Sequence, residues 1–304
     1  MTADIAFRER LAGGLLGLAA GDALGATVEF LPAETIRRRY GRHCEVRGGG
    51  AFGWRPGQGT DDTDLAYAVA LAYAEGYSLD RVAQHFLAWY RRSPRDIGGT
   101  TAAALAEMAH GTDPALCGHR VAGPSSAGNG SLMRCIATGL ARRSPSQRRV
   151  EAVAISALTH ADPRCTQACA AYCDLVSLLV DGATPAEAVE TVLASSPMSD
   201  DLAESVAIAG GLSPAQLDPS GYVLATLQVG VWAVLQPRPL EDVLVDVVNL
   251  GGDADTTGAV AGGLLGVRDG APAIPARWVD LLEYRSVLLA LVPRLAALRE
   301  GSSH

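Results

Sequence analysis

Gly13, Gly17, Gly21 and Gly25 recur at every fourth position of one apolar run, and Gly258, Gly262 and Gly266 do the same in another. In a helix that spacing keeps the residues on one face. Each glycine inside a helix costs up to about 1 kcal/mol relative to alanine, so the loss must be offset by a contact that a side chain would block. In a membrane such a row forms a seam between helices. Here Asp22 interrupts the first run, and neither run reaches the ~18 uninterrupted apolar residues of a spanning helix. The spacing predicts two core helices with shallow grooves, packed on each other. That pairing would carry Asp22 and Glu29 toward the acidic residues at 253–255.

The rest of the chain also reads as helix. Apolar periodicity marks candidate helices at 6–26, 63–75, 79–91, 100–109, 130–141, 147–158, 165–180, 185–194, 200–209, 221–235, 239–249, 256–267 and 276–299. Proline and glycine gather at 48–59, 111–128, 210–219 and 268–275, which read as loops. Aromatic residues make up only 5% of the chain, a composition that suits close-packed helices better than a sheet. No interdomain linker stands out, so one all-α domain over 1–300 is expected, with a flexible tail at 301–304.

Composition removes several classes of function. All 25 basic residues are arginine. Schiff-base and pyridoxal-phosphate chemistry need a lysine amine, and the usual phosphate-binding loop ends in Gly-Lys. A net charge of −8 argues against a nucleic-acid binder; the runs Arg37, Arg38, Arg39 and Arg148, Arg149 read as solvated helix faces. The six cysteines, at 44, 117, 135, 165, 169 and 173, contain no Cys-x-x-Cys pair and read as small buried side chains in a reducing compartment. Charged residues precede any apolar run at the N-terminus, so no signal peptide is read there and a cytoplasmic location without membrane attachment is expected.

Two short segments concentrate the remaining chemistry. One is Gly57-Gln58-Gly59-Thr60-Asp61-Asp62-Thr63-Asp64, the other Gly251-Gly252-Asp253-Ala254-Asp255-Thr256-Thr257-Gly258. Each is a glycine-rich loop running into a helix. Asp and Thr are common helix caps, and either segment alone is more often a cap. Two together favour a hard cation, because adjacent carboxylates repel unless a cation lies between them and magnesium takes oxygen ligands.

In order along the chain, Gly14-Leu15-Leu16-Gly17, Gly21-Asp22-Ala23-Leu24-Gly25, Glu29, Thr60-Asp61-Asp62-Thr63, Gly128-Asn129-Gly130-Ser131-Leu132-Met133-Arg134, Thr159-His160 and Gly252-Asp253-Ala254-Asp255-Thr256-Thr257-Gly258-Ala259 resemble the ADP-ribosylglycohydrolase family. The resemblance implies the compact orthogonal multi-helix bundle of that family and a centre of two Mg²⁺ ions, Mn²⁺ sometimes substituting. It implies Thr60, Asp61, Asp62, Asp253, Asp255 and Thr256 as metal ligands and Glu29 on a segment covering the metals. Gly128, Asn129, Gly130 and Ser131 would cradle the diphosphate and adenosine near a helix N-terminus, and His160 would line the nucleotide cleft, although a histidine after an apolar helix is also a common structural residue. Arg95-Asp96-Ile97-Gly98-Gly99-Thr100 resembles a family segment beside the leaving group. Asp96 there either faces a guanidinium or caps the helix at 100–109, and Gly99 departs from a polar residue found in some members.

The reaction so implied is release of ADP-ribose from a modified acceptor: a protein arginine or serine, a small conjugate, or a modified nucleic-acid end. Asp61 or Asp62 would take the proton of the attacking water and Glu29 would act on the leaving group or its water. A monomer is expected. A second class, the isoprenoid diphosphate synthases, needs Asp-Asp-x-x-Asp; Leu65 stands at the fifth position. A third, a weak ADP-ribose binder or crystallin-like structural relative, commonly lacks the acidic ligands that this chain retains.

Overall fold

The computed structural model describes residues 2–123 and 126–301. Among them sixteen α-helices follow one another: α1 (Thr2–Gly25), α2 (Ala33–Tyr40), α3 (Asp61–Ala74), α4 (Leu79–Tyr90), α5 (Gly99–Ala109), α6 (Pro114–Val121), α7 (Ile136–Ala141), α8 (Pro145–Ala157), α9 (Pro163–Val180), α10 (Pro185–Ser195), α11 (Asp200–Ile208), α12 (Val223–Leu235), α13 (Leu240–Val248), α14 (Ala254–Asp269), α15 (Ala276–Val279) and α16 (Arg285–Gly301). Three isolated bridges are the only β-pairing among the described residues. Gly301 ends α16; the remainder of the tail expected at 301–304 lies outside the described residues.

The two glycine rows meet. Gly13, Gly17, Gly21 and Gly25 of α1 face Gly266, Gly262, Gly258 and Ala254 of α14 in that order, so the helices run antiparallel. A Cβ placed on Gly17 would lie 2.2 Å from the Gly262 carbonyl oxygen, and one on Gly21 1.9 Å from that of Gly258. The backbones touch directly, and dense packing over the buried stretches 11–25 and 254–267 offsets the low helix propensity of the glycines.

This seam sets the site. Antiparallel pairing brings the C-terminal end of α1 to the N-terminal end of α14. Beyond α1, the Phe30 N–H donates to the Gly252 carbonyl at 2.6 Å, the Gly252 N–H donates to that of Leu31 at 3.0 Å, and Pro32 bridges Gly251. A third element is drawn in by Asp22 of α1, whose carboxylate accepts the Thr60 N–H at 3.0 Å, the Thr63 N–H at 3.1 Å and the Thr63 hydroxyl. The N-terminus of α3 is thus fixed against the seam.

Elsewhere the structure corrects the sequence reading. Helix α2 buries only Ile36 among its eight residues and has no apolar stripe to announce it. Helix α6 lies inside the supposed loop 111–128. Its Asp113 N-cap, accepting from the Ala115 N–H, and Pro114 in the first turn are a helix-start signal that the nearby glycines obscured. The helix expected at 130–141 begins only at Ile136, preceded by a chain of turns. The helix expected at 276–299 is broken: the turn at 280–284 packs on the 57–59 loop, where a Cβ on Gly57 would meet the Leu281 carbonyl oxygen at 1.9 Å and the Glu283 N–H donates to the Gly57 carbonyl. Arg148 is not on a solvated face; it is buried and paired with Asp174. Five of the cysteines are buried as expected and Cys44 is half-buried, all six free.

Candidate active site

The ends of α1, α3 and α14 converge on a cavity of about 480 Å³ lined by Glu29, Phe30, Asp61, Asp96, Asp253, Asp255 and Thr256 on one side and by Gly128, Asn129, Gly130, His160 and Gly221 on the other. Helix N-termini carry partial positive charge, and two of them point their first turns here. Glu29, Asp253 and Asp255 offer oxygen atoms that all lie within 4.8 Å of one another. The two acidic segments touch through Asp62: its Oδ2 accepts from the Thr60 hydroxyl at 3.2 Å and from the Thr256 hydroxyl at 3.3 Å. Thr60 also caps α3, accepting from the Asp62 N–H at 3.2 Å. The cap and the cluster are the same residues.

These carboxylates lack what normally makes burial tolerable. Oδ1 of Asp62, Oδ1 of Asp255 and Oε2 of Glu29 are buried without any hydrogen-bond partner, and no lysine or arginine lines the cavity. Burial, then the neighbouring Asp96 and Asp22 charges, holds the Asp61 carboxyl well above the usual range. Burial followed by Asp22 and Asp61 does the same for Asp62, and burial followed by Asp62 for Asp255. Glu29 rises to about 8 and Asp96 to about 6, from burial first and the surrounding carboxylates second. A buried group of hard oxygen donors with orphaned lone pairs fits a divalent cation.

The expected site residues separate into two layers. Glu29, Asp61, Asp96, Gly128, Asn129, Gly130, His160, Asp253, Asp255 and Thr256 face the cavity. Thr60 and Asp62 lie behind it, fully buried. Ser131 also lies behind: its hydroxyl oxygen accepts from the Ser156 hydroxyl and the Cys169 thiol and is not part of the cavity wall. The Gly128–Ser131 segment is not at a helix N-terminus, since α7 starts five residues beyond Ser131. Asp96 does not cap α5, whose N-cap is Gly98 without a side-chain bond; it lines the cavity.

Sequence reasoning missed the residues that hold others in place. Asn129 Nδ2 donates to Asp253 Oδ2 at 2.7 Å and to the Thr226 hydroxyl at 2.9 Å, so this cavity-lining residue also orients a carboxylate. Arg134, beneath the loop, donates to the Thr159 hydroxyl at 2.7 Å, and that hydroxyl lies 2.7 Å from His160 Nδ1. With Arg134 donating to the Thr159 oxygen, the threonine hydroxyl donates to Nδ1, which accepts, leaving the N–H on Nε2, the nitrogen beside Gly128 and Gly130. Burial, then the Arg134 charge, lowers His160 to about 3, so it is a neutral donor. No motif spacing announces Thr226 or the Pro219–Gly221 wall.

The model of the ADP-ribosylglycohydrolase family matches residues 3–304. The chain belongs to that family. The ADP-ribosyl-[dinitrogen reductase] glycohydrolase of Rhodospirillum rubrum is 32% identical over 281 residues, covering 91% of each chain. The ADP-ribosylarginine hydrolase Tri1 of Serratia proteamaculans is 31% identical over 301 residues, covering 94% of this chain and 79% of that one. A solved ADP-ribosylglycohydrolase-related protein complex superposes with a TM-score of 0.84 at 32% identity, over 96% of this chain and 98% of that chain. This member of the family is an enzyme of the glycosyl-hydrolase kind, built entirely from helices. No helix among the described residues is long and apolar enough to cross a membrane.

Proposed function

We propose that this glycohydrolase cleaves the glycosidic bond between ADP-ribose and an acceptor side chain, arginine foremost, with divalent metal ions held by Thr60, Asp61, Asp62, Asp253, Asp255 and Thr256. The observation that carries the proposal is the set of orphaned buried oxygens, on Asp255 and Glu29 in the cavity wall and on Asp62 directly behind it. Two Mg²⁺ ions, or Mn²⁺ in their place, would supply Lewis-acid stabilisation and raise the acidity of water at that floor.

The chain's own groups divide the remaining work. The wall formed by Gly128, Gly130 and Gly221 admits close approach of a diphosphate to backbone, and the His160 Nε2–H donates to it without carrying charge. Asn129 fixes the orientation of Asp253. Of the carboxylates that face the cavity, Asp253 and Asp255 are assigned to metal and Asp96 to the leaving group, so Asp61 or Glu29 accepts the proton of the attacking water; Asp62, enclosed behind the wall, holds metal only. As the water oxygen bonds to the anomeric carbon, the carbon–nitrogen bond breaks through an oxocarbenium-like state that the surrounding carboxylates favour. The carboxylate passes the water's proton to the leaving guanidine, and Asp96 pairs with the guanidinium that results.

Two peptides, ADP-ribosyl-arginine and ADP-ribosyl-serine, incubated side by side with Mg²⁺ and with EDTA test this reading. Metal-dependent release of ADP-ribose from the arginine peptide is expected. Release in EDTA, or binding of ADP-ribose with no turnover of either peptide, overturns it.

A further inference from the structure

We propose that the active cavity has a second lobe that receives the acceptor guanidinium, in which Glu283 is a binding residue, Trp54 carries the resident Arg95, and Arg55 is a displaceable place-holder. A cavity of about 230 Å³ adjoins the first and shares Asp61 and Asp96 with it. Its other walls include Trp54, Asp64, Glu283 and Tyr284. The inference rests on the hydrolase reading and assigns the side of the scissile bond that the sequence motifs leave unassigned.

Both lobes are acidic, and they differ in the walls away from the Asp61 and Asp96 that they share. The larger contributes Gly128, Gly130 and Gly221 and a neutral imidazole, a wall that tolerates phosphate. The smaller presents the carboxylates of Asp61, Asp64, Asp96 and Glu283, with Arg95 as its one cation. A diphosphate there would be repelled and a cation drawn in. Asp64 is already satisfied by the Tyr284 hydroxyl at 2.6 Å and the Trp89 indole at 2.7 Å, and so shapes the wall. Asp61 is 8% exposed, belongs to both lobes, and receives no hydrogen bond or ion pair from any described residue; nor does Asp96. The junction of the lobes is therefore the place for the bond between sugar and acceptor.

The chain itself shows what this wall binds. Arg55 donates from one nitrogen to both oxygens of Glu283, at 3.1 and 3.2 Å. Arg95 places its guanidinium 5.3 Å from the centre of the Trp54 ring while donating to the Phe52 and Gly53 carbonyls. Carboxylate pairing and aromatic stacking are the two general modes of guanidinium recognition, and both are in use at this lobe. Arg95 is anchored by backbone acceptors. Arg55 is not: besides Glu283 its guanidinium has, among the described residues, only a long 3.4 Å bond to Gln58 Oε1, and its side chain is 71% exposed and that of Glu283 47%, so solvent weakens the pair and an incoming guanidinium exchanges for it at little cost. The acceptor guanidinium then lies between Asp96 and Glu283.

Free L-arginine is the probe, read as inhibition of ADP-ribose release and as calorimetric binding to protein saturated with ADP-ribose and Mg²⁺. Glu283→Gln should weaken arginine about tenfold, and Arg55→Ala should strengthen it about threefold by freeing Glu283, both with ADP-ribose affinity unchanged. A merely structural role for the ion pair would move both variants the same way, and that result, or no change in either, overturns the lobe. Release from ADP-ribosyl-serine peptide with no arginine binding also overturns it, while leaving the hydrolase reading intact. Should neither peptide be turned over, the hydrolase reading fails, and opposite shifts in the calorimetric titration still support the lobe.

Discussion

Asp62 and Asp174 are both buried carboxylates, exposed by 0% and 1%, and they stand in opposite surroundings. Asp174 on α9 accepts from Arg148 Nε at 2.7 Å and Nη2 at 2.6 Å on one oxygen, and from Arg149 Nε and the Ser196 hydroxyl at 2.6 Å each on the other. Arg148 spends its other donors on the Arg142 and Arg143 carbonyls and the Ser177 hydroxyl. That network is closed. At Asp62 two threonine hydroxyls share one oxygen and the other has nothing. Burial alone therefore does not identify a functional acid. An uncompensated buried acid does, because the fold bears its desolvation cost until a ligand arrives.

Substitution at each carboxylate separates the two cases. Asp62→Asn should lower turnover by at least about a thousandfold, the scale of losing metal stabilisation of the reaction, while the metal-free protein melts no lower than wild type, since a repulsive charge is gone. Asp174→Asn should do the reverse: about 3–5 kcal/mol of stability lost in urea titration, because two arginines are left short of charge, with the turnover of the remaining folded protein little changed. A destabilised Asp62→Asn or an inactive but stable Asp174→Asn would dissolve the distinction. Next in size, Gly21→Ala should cost about 1–3 kcal/mol by overpacking against the Gly258 carbonyl, measured by the same titration.

The pH dependence sharpens the contrast further. Folded pKa values near 7 for Asp22 and near 8 for Glu29 lie above those of the unfolded chain. A raised carboxyl stabilises the fold below its unfolded pKa and loses that contribution as pH rises through the folded value. His160, lowered to about 3 from 6.5, is neutral in both states above 6.5 and adds no slope there. Between pH 6.5 and 8 the protein in EDTA should therefore lose stability, and Mg²⁺ should flatten the loss. A melting temperature that climbs across that window in EDTA would contradict it. The smallest effect is expected at Asn129→Ala, about a tenfold fall in kcat, since Asp253 keeps its backbone position and loses only the 2.7 Å bond that orients it.

Much of this arrangement was legible in the sequence, for identifiable reasons. The glycine rows could be read because only a backbone contact justifies them, and the acidic segments because like charges crowd without partners. The unread parts depend on long-range packing. Helix α2 carries three arginines and one buried isoleucine, so no period marks it. The break at 280–284 is imposed by the 57–59 loop, more than two hundred positions away. Ser131 was carried in by its neighbours in a motif, and only the structure shows its hydroxyl turned toward Ser156 and Cys169. Arg148 and Arg149 look like any solvated pair until Asp174 comes beneath them.

The antiparallel glycine seam joins the first helix to the fourteenth. Contacts so distant along a chain carry a large closure entropy and form late. Glu29 and Asp255 stand 226 positions apart in sequence and are brought together by that seam. The cluster that Glu29 forms with Asp253 and Asp255 therefore exists only where the two ends of the seam meet, and no local stretch of the chain contains it.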